Sequence, residues 1–109
     1  MTETSSETPV LDLLARMTAD SLDASTLDPG TLMVARVAAL VAVDAPPISY
    51  LLNLAVAGEV GIDAETVRGV LAAVAPIVGT ARVASATGKI AEALEVAIEV
   101  AELEDENDG

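Results

Sequence analysis

Residues 46–67 read PPISYLLNLAVAGEVGIDAETV, and the fold class turns on this stretch. Its paired prolines lack backbone donors and bias the residues before them away from helix. A preceding helix must therefore end at Asp44-Ala45-Pro46-Pro47. Helical spacing then predicts a helix over about Pro47 to Glu59, with Ile48, Leu51, Leu52, Ala55 and Val56 on its buried side. Gly58 and Gly61 stop it. Asp63 reads as the N-cap of a further helix, with Glu65 in the first turn, where an acid is favourable to the helix dipole.

The pattern continues outward in both directions. Downstream, Val67, Val70, Leu71 and Val74 repeat at helical spacing, and Pro76 and Gly79 mark an end or a kink. A long last helix is expected from about Thr80 to Leu103, with Val83, Ile90, Ala93, Leu94, Ala97, Ile98 and Ala101 on one face. Upstream, Asp28-Pro29 is an N-cap followed by proline at the first helical position. The helix it opens, about Pro29 to Val43, is apolar nearly all round, as suits a central position in a bundle or a subunit contact. A first amphipathic helix, about Pro9 to Leu22, carries Val10, Leu13, Leu14 and Met17 on one stripe. The valine-rich stretches lack hairpin turns, so no strand is expected. The expected fold is all-α, five to six helices in one domain over residues 9–103. A frayed segment 1–8 precedes it and an acidic, disordered tail 104–109 follows.

Composition narrows the chemistry. The 109 residues include no Cys, His, Trp or Phe, yet 52% are hydrophobic. Imidazole-activated nucleophiles and Cys or His metal sites are thereby excluded. Mean hydropathy is +0.54. A core of this size cannot hide so much apolar surface, so a homo-oligomer is expected. The formal net charge of −13 opposes binding to nucleic acid or to anionic membranes. The polar, acidic N-terminus does not resemble a signal peptide, and no apolar run reaches the ~20 residues needed to span a bilayer. The expectation is a soluble, cytoplasmic protein.

Helices three and four contain Pro46-x-x-Ser49-x-x-x-Asn53-x-x-x-Ala57-x-x-x-Gly61, followed by Asp63-Ala-Glu-Thr-Val67. This resembles the carboxymuconolactone decarboxylase family, which includes the alkylhydroperoxidase D-like proteins. Their pattern is Cys-x-x-Cys-x-x-x-His-x-x-x-Ala-x-x-x-Gly, and the resemblance covers about residues 27 to 95. It implies an alkylhydroperoxidase D-like helical bundle built around a helical hairpin and assembled as a trimer or hexamer. In redox members of the family, the cysteines cycle between dithiol and disulfide while the histidine and an upstream glutamate relay protons. Here the matching positions hold Pro46, Ser49, Asn53 and Val34. None of these carries a thiolate cycle or titrates near neutral pH, so thiol peroxidase or disulfide reductase activity is not expected. Decarboxylase-type members do without the cysteine pair, but they too are expected to use a histidine.

The remaining candidate pocket comprises Asp44, Ser49, Tyr50, Asn53 and Arg36. Ser49 and Asn53 are four apart, on one helical face, and Tyr50 neighbours Asn53 at the other favourable spacing. Such groups either line a site for a small polar molecule or serve the backbone, Ser49 and Asn53 at a helix entrance and Asp44 as a cap, with the Tyr50 hydroxyl satisfied in the core. The second, structural role is preferred. Arg36 lies in an apolar helix and needs a partner: Asp44 two turns on, a carboxylate of a neighbouring subunit, or an anionic ligand. Arg68 is expected to pair with Glu65. Arg82 opposes the dipole of the last helix, which points to a partner acid. Glu92, Glu95, Glu99 and Glu102 form a solvated edge, and Ala84-x-x-x-Gly88 reads as a place for close helix packing. No cofactor and no metal are expected. The leading expectation is a non-catalytic oligomeric assembly or small-ligand-binding protein. The alternative is a cofactor-free decarboxylase or lyase acting on a small carboxylate or lactone, with an arginine holding the anion.

Overall fold

Five helices follow one another in the computed structural model, which describes residues 7–108: α1 (Pro9–Ala24), α2 (Pro29–Ala42), α3 (Pro47–Glu59), α4 (Ala64–Val78) and α5 (Thr80–Asp108). No strand occurs among the described residues. The expected segment 1–8 lies mostly outside them. The helix starts are set by two like devices. Asp28 accepts from the Thr31 amide at 2.8 Å and its hydroxyl at 3.0 Å. Asp63 accepts from the Thr66 amide and hydroxyl, both at 2.8 Å. Each aspartate thus satisfies an amide that the first helical turn leaves without a partner.

The helix ends are equally specific. After α2, the Ala45 amide donates to the Leu40 carbonyl and the Asp44 amide to the Val41 carbonyl. This is a Schellman closure, with Asp44 in the left-handed region at φ 55°. After α3, Ile62 and Gly61 repeat it onto Ala57 and Gly58, with Gly61 at φ 90°. Pro76 does not end α4, which runs two residues further and stops at Gly79 (φ 91°). The acidic end of the chain, where composition predicts disorder, continues α5 as helix to Asp108.

Helix α2 is central and packs against α3, α4 and α5. Val41, Ala45, Tyr50, Ala86 and Ala93 form one buried cluster; Leu32, Met33 and Ala57 form a second. Several expectations fail, among them the buried face of α5, whose Leu94 and Ile98 are exposed. Helix α3 does not bury Ile48, Leu52 and Val56, which are 56%, 63% and 46% exposed. It buries Tyr50 and Ala57, with Leu51 and Leu54 beside them. The lone aromatic side chain has the most surface to remove from water, and it sets the rotation of the helix. Helix α1 has no buried residue, and no other helix makes close backbone contact with it. Its stripe of Val10, Leu13, Leu14 and Met17 is exposed. The radius of gyration is 16.1 Å, against about 13 Å for a compact chain of this length. Around Gly88 an added Cβ meets nothing within 4 Å, so the Ala84–Gly88 pair serves no close approach inside the chain.

Candidate functional site

The candidate residues fall into two places, on either side of α3. The first is the α2–α3 turn. Asp44, lifted out of the helix by its left-handed backbone, turns its carboxylate to α5. Its Oδ1 accepts from Ser85 Oγ at 2.7 Å and from Lys89 Nζ at 2.9 Å, and Lys89 also donates to the Asp44 carbonyl at 3.2 Å. The hydrogen bonds from Ser85 and then Lys89 hold the Asp44 carboxyl below its ordinary pKa, helped by the positive charges of Lys89 and Arg82. Arg82 Nη1 donates to the Ala42 carbonyl at 2.7 Å, so a guanidinium meets the negative end of α2. The expected partner acid for Arg82 is thus replaced by a helix terminus of the same chain.

Tyr50 sits beneath this turn with no exposed surface. Its hydroxyl is buried without a hydrogen-bond partner, contrary to the expectation of a satisfied one. Burial, and next the charge of Asp44, push its pKa up. The hydroxyl is therefore neutral and sealed from solvent.

The second place is a groove of about 470 Å³ between α1, α2 and α3, lined by Met17, Thr18, Ser21, Met33, Arg36, Leu52, Asn53 and Val56. Arg36 Nη2 donates to Ser21 Oγ at 3.1 Å. It does not pair with Asp44, whose carboxylate is engaged by α5. Asn53 Nδ2 donates to the Ser49 carbonyl at 2.8 Å, one turn back. Of the five candidates, Arg36 and Asn53 line this groove, whereas Asp44, Ser49 and Tyr50 do not.

Three features were not anticipated from sequence. Lys89 and Ser85 reach Asp44 across more than forty residues; the one available signal was that Lys89 is the only lysine of the chain. The second is a further groove of about 310 Å³ between α3, α4 and α5, mostly apolar, with Asp63, Arg68 and Thr87 among its lining. The third concerns Arg68, which lines this groove and, among the described residues, forms no ion pair with Glu65. Glu92, Glu95, Glu99 and Glu102 are exposed along α5. Among the described residues no three acidic side chains converge as metal ligands, and no helix is long and apolar enough to cross a membrane. Comparison with protein-family models, with curated proteins and with solved structures gives no match.

Proposed function

We propose that this chain is a carboxymuconolactone decarboxylase-like protein that has lost its reactive groups and works as a non-catalytic, homo-oligomeric assembly or binding protein. One observation carries the reading: the candidate groups that can move a proton are separated from the groups that line a groove. Asp44 is held ionised by Ser85 and Lys89, and the Tyr50 hydroxyl is sealed in the core. The groove itself offers Arg36 and Asn53. A guanidinium and a carboxamide bind and orient, but they do not perform general acid–base work near neutral pH. The position that holds the histidine in the family is occupied by Asn53, whose Nδ2 donates to the Ser49 carbonyl and which carries no group that exchanges a proton near neutral pH.

The surface supports assembly. The chain exposes 7335 Å², whereas a compact monomer of 11.0 kDa exposes about 5,600 Å². The surplus goes with the extended placement of α1 and of distal α5, whose Leu14, Met17 and Ile98 side chains are exposed. Native mass measurement tests assembly, and peroxide reduction with a supplied dithiol tests the loss of chemistry. A monomer at high micromolar concentration, or turnover well above buffer, overturns the proposal. The alternative, a cofactor-free enzyme on a small carboxylate, draws on Arg36 facing the groove. Incubation with small carboxylates and lactones, followed by mass spectrometry for loss of substrate, distinguishes it, since the leading reading requires no substrate conversion.

A further inference from the structure

We infer that the groove between α3, α4 and α5 binds a free hydrophobic α-amino acid, with its side chain between the helices and its zwitterionic head at Arg68 and Asp63. This gives the binding role proposed above a site and a ligand class; it rests on that role and not on assembly. The groove is built into the bundle. Val67, Arg68 and Leu71 line it from one face of α4, and Thr87, Ile90 and Leu94 from one face of α5. Leu54 lines it from α3. Leu54, Leu71 and Ile90 also pack against the buried cluster around Tyr50, so the core holds these walls in place.

Volume and composition set the apolar part of the ligand. At about 310 Å³ the groove is at the lower end of the range for small-molecule sites. Its apolar walls are aliphatic, and the chain has no Phe or Trp with which to fill it. A large apolar side chain supplied from outside removes those walls from water, and that burial is the main source of affinity.

The polar groups of the lining set the head. Arg68 forms no ion pair among the described residues, so its guanidinium is open to a carboxylate. Both bonds from Thr66 to Asp63 fall on Oδ1, at 2.8 Å each, which leaves Oδ2 to a further donor. The Thr87 hydroxyl donates to the Val83 carbonyl at 2.9 Å, so its oxygen offers lone pairs only. One cation and two acceptors therefore line the same groove. An anionic ligand meets Asp63 and a chain of net charge −13. A cationic ligand leaves Arg68 facing a like charge. A molecule that is neutral overall, with ammonium and carboxylate on one carbon, meets neither penalty and uses all three groups.

The test titrates the full chain into L-tryptophan and follows the ligand's fluorescence. The chain has no Trp, so excitation beyond the tyrosine band reports the ligand alone. A saturable blue shift with a Kd of about 1 mM or below is expected. Tryptamine and indole-3-propionate, each lacking one charge of the head, should bind about threefold to tenfold more weakly. Arg68→Gln and Asp63→Asn should each weaken tryptophan by a similar factor. Arg68 is exposed, and asparagine caps a helix as well as aspartate does, so far-UV circular dichroism stays unchanged. Backbone amide NMR shifts induced by L-phenylalanine should centre on Val67, Leu71, Ile90 and Leu94. No saturable shift, analogues that bind as tightly as tryptophan, variants that bind like wild type, or amide shifts centred on Met33 and Asn53 overturn the inference and leave assembly standing. A monomeric wild type that binds tryptophan overturns assembly and supports the inference.

Discussion

Replacing Tyr50 by phenylalanine tests the account of the core directly. The Tyr50 side chain has 0% exposure, and its hydroxyl has no partner. Folding strips water from that oxygen and returns no hydrogen bond, a cost of about 1–3 kcal/mol. Tyr50→Phe removes the oxygen and leaves a void on the order of 15 Å³, which costs roughly 0.4 kcal/mol at ~24 cal/mol per Å³. The net expectation is a stabilisation of about 1–2 kcal/mol, with Tm rising about 4–8 °C for each kcal/mol in a chain of this size. Urea unfolding followed by circular dichroism, at one fixed protein concentration, measures it. A variant less stable than wild type by about 1 kcal/mol or more means that the hydroxyl is hydrogen-bonded after all, and the reasoning fails. A second arm uses pH. The Tyr50 pKa is raised above its ordinary value of 10.0. The neutral form is therefore favoured in the fold, and its stabilisation is complete below about pH 10 and lost as pH rises through the folded value. Wild type should weaken more steeply in that alkaline range than Tyr50→Phe. Because Tyr50 is the only tyrosine, tyrosinate absorbance follows the ionisation of this one group.

Further outcomes follow from the helix ends and caps. Gly79 lies at φ 91° and ψ 163°, a region that side chains avoid, so Gly79→Ala should destabilise by about 1–3 kcal/mol in thermal unfolding. Gly88 is helical and open around its Cβ position, so Gly88→Ala should instead stabilise by about 0.8–1 kcal/mol. The carboxyl pKa values of Asp28 and Asp63 are lowered first by the Thr31 and Thr66 amides, and that of Asp44 first by Ser85. Their stabilisation is present above the unfolded value of 3.8 and lost as pH falls through the folded values. A triple variant, Asp28→Asn, Asp44→Asn and Asp63→Asn, should therefore differ from wild type near neutral pH, with the difference closing in acid; a constant difference across that range counts against these roles. Lys89→Met should return the Asp44 carboxyl toward its ordinary pKa, read by NMR titration of that carboxyl, and an unmoved value would remove Lys89 from its assigned role.

Local signals made most of the elements legible. Asp28 and Asp63 announced two helix starts, and Gly61 and Gly79 announced two stops, because capping and left-handed turns depend on residues within a few positions. Pro76 misled in part: its missing amide costs one hydrogen bond, which the last turn of α4 tolerates. The acidic run after Leu103 also misled, since composition alone did not show that it prolongs a long helix. The faces of α3 were the larger error. Periodicity allowed two apolar sides, one with Ile48, Leu52 and Val56 and one with Tyr50, Leu54 and Ala57, and it held no term to choose between them.

By itself, then, the sequence determined an all-helical chain, the order of its helices, and the absence of thiol and imidazole groups. Those properties reside in residue type and in neighbours a turn away. Only the tertiary structure decided which face of α3 meets the core, that Asp44 answers to Lys89 rather than Arg36, and that Arg36 and Asn53 share a groove from which Tyr50 is shut out. Each of these depends on groups brought together from distant positions by the burial of one aromatic ring against α2 and α5. Contacts of that kind leave no mark in the spacing of a single chain.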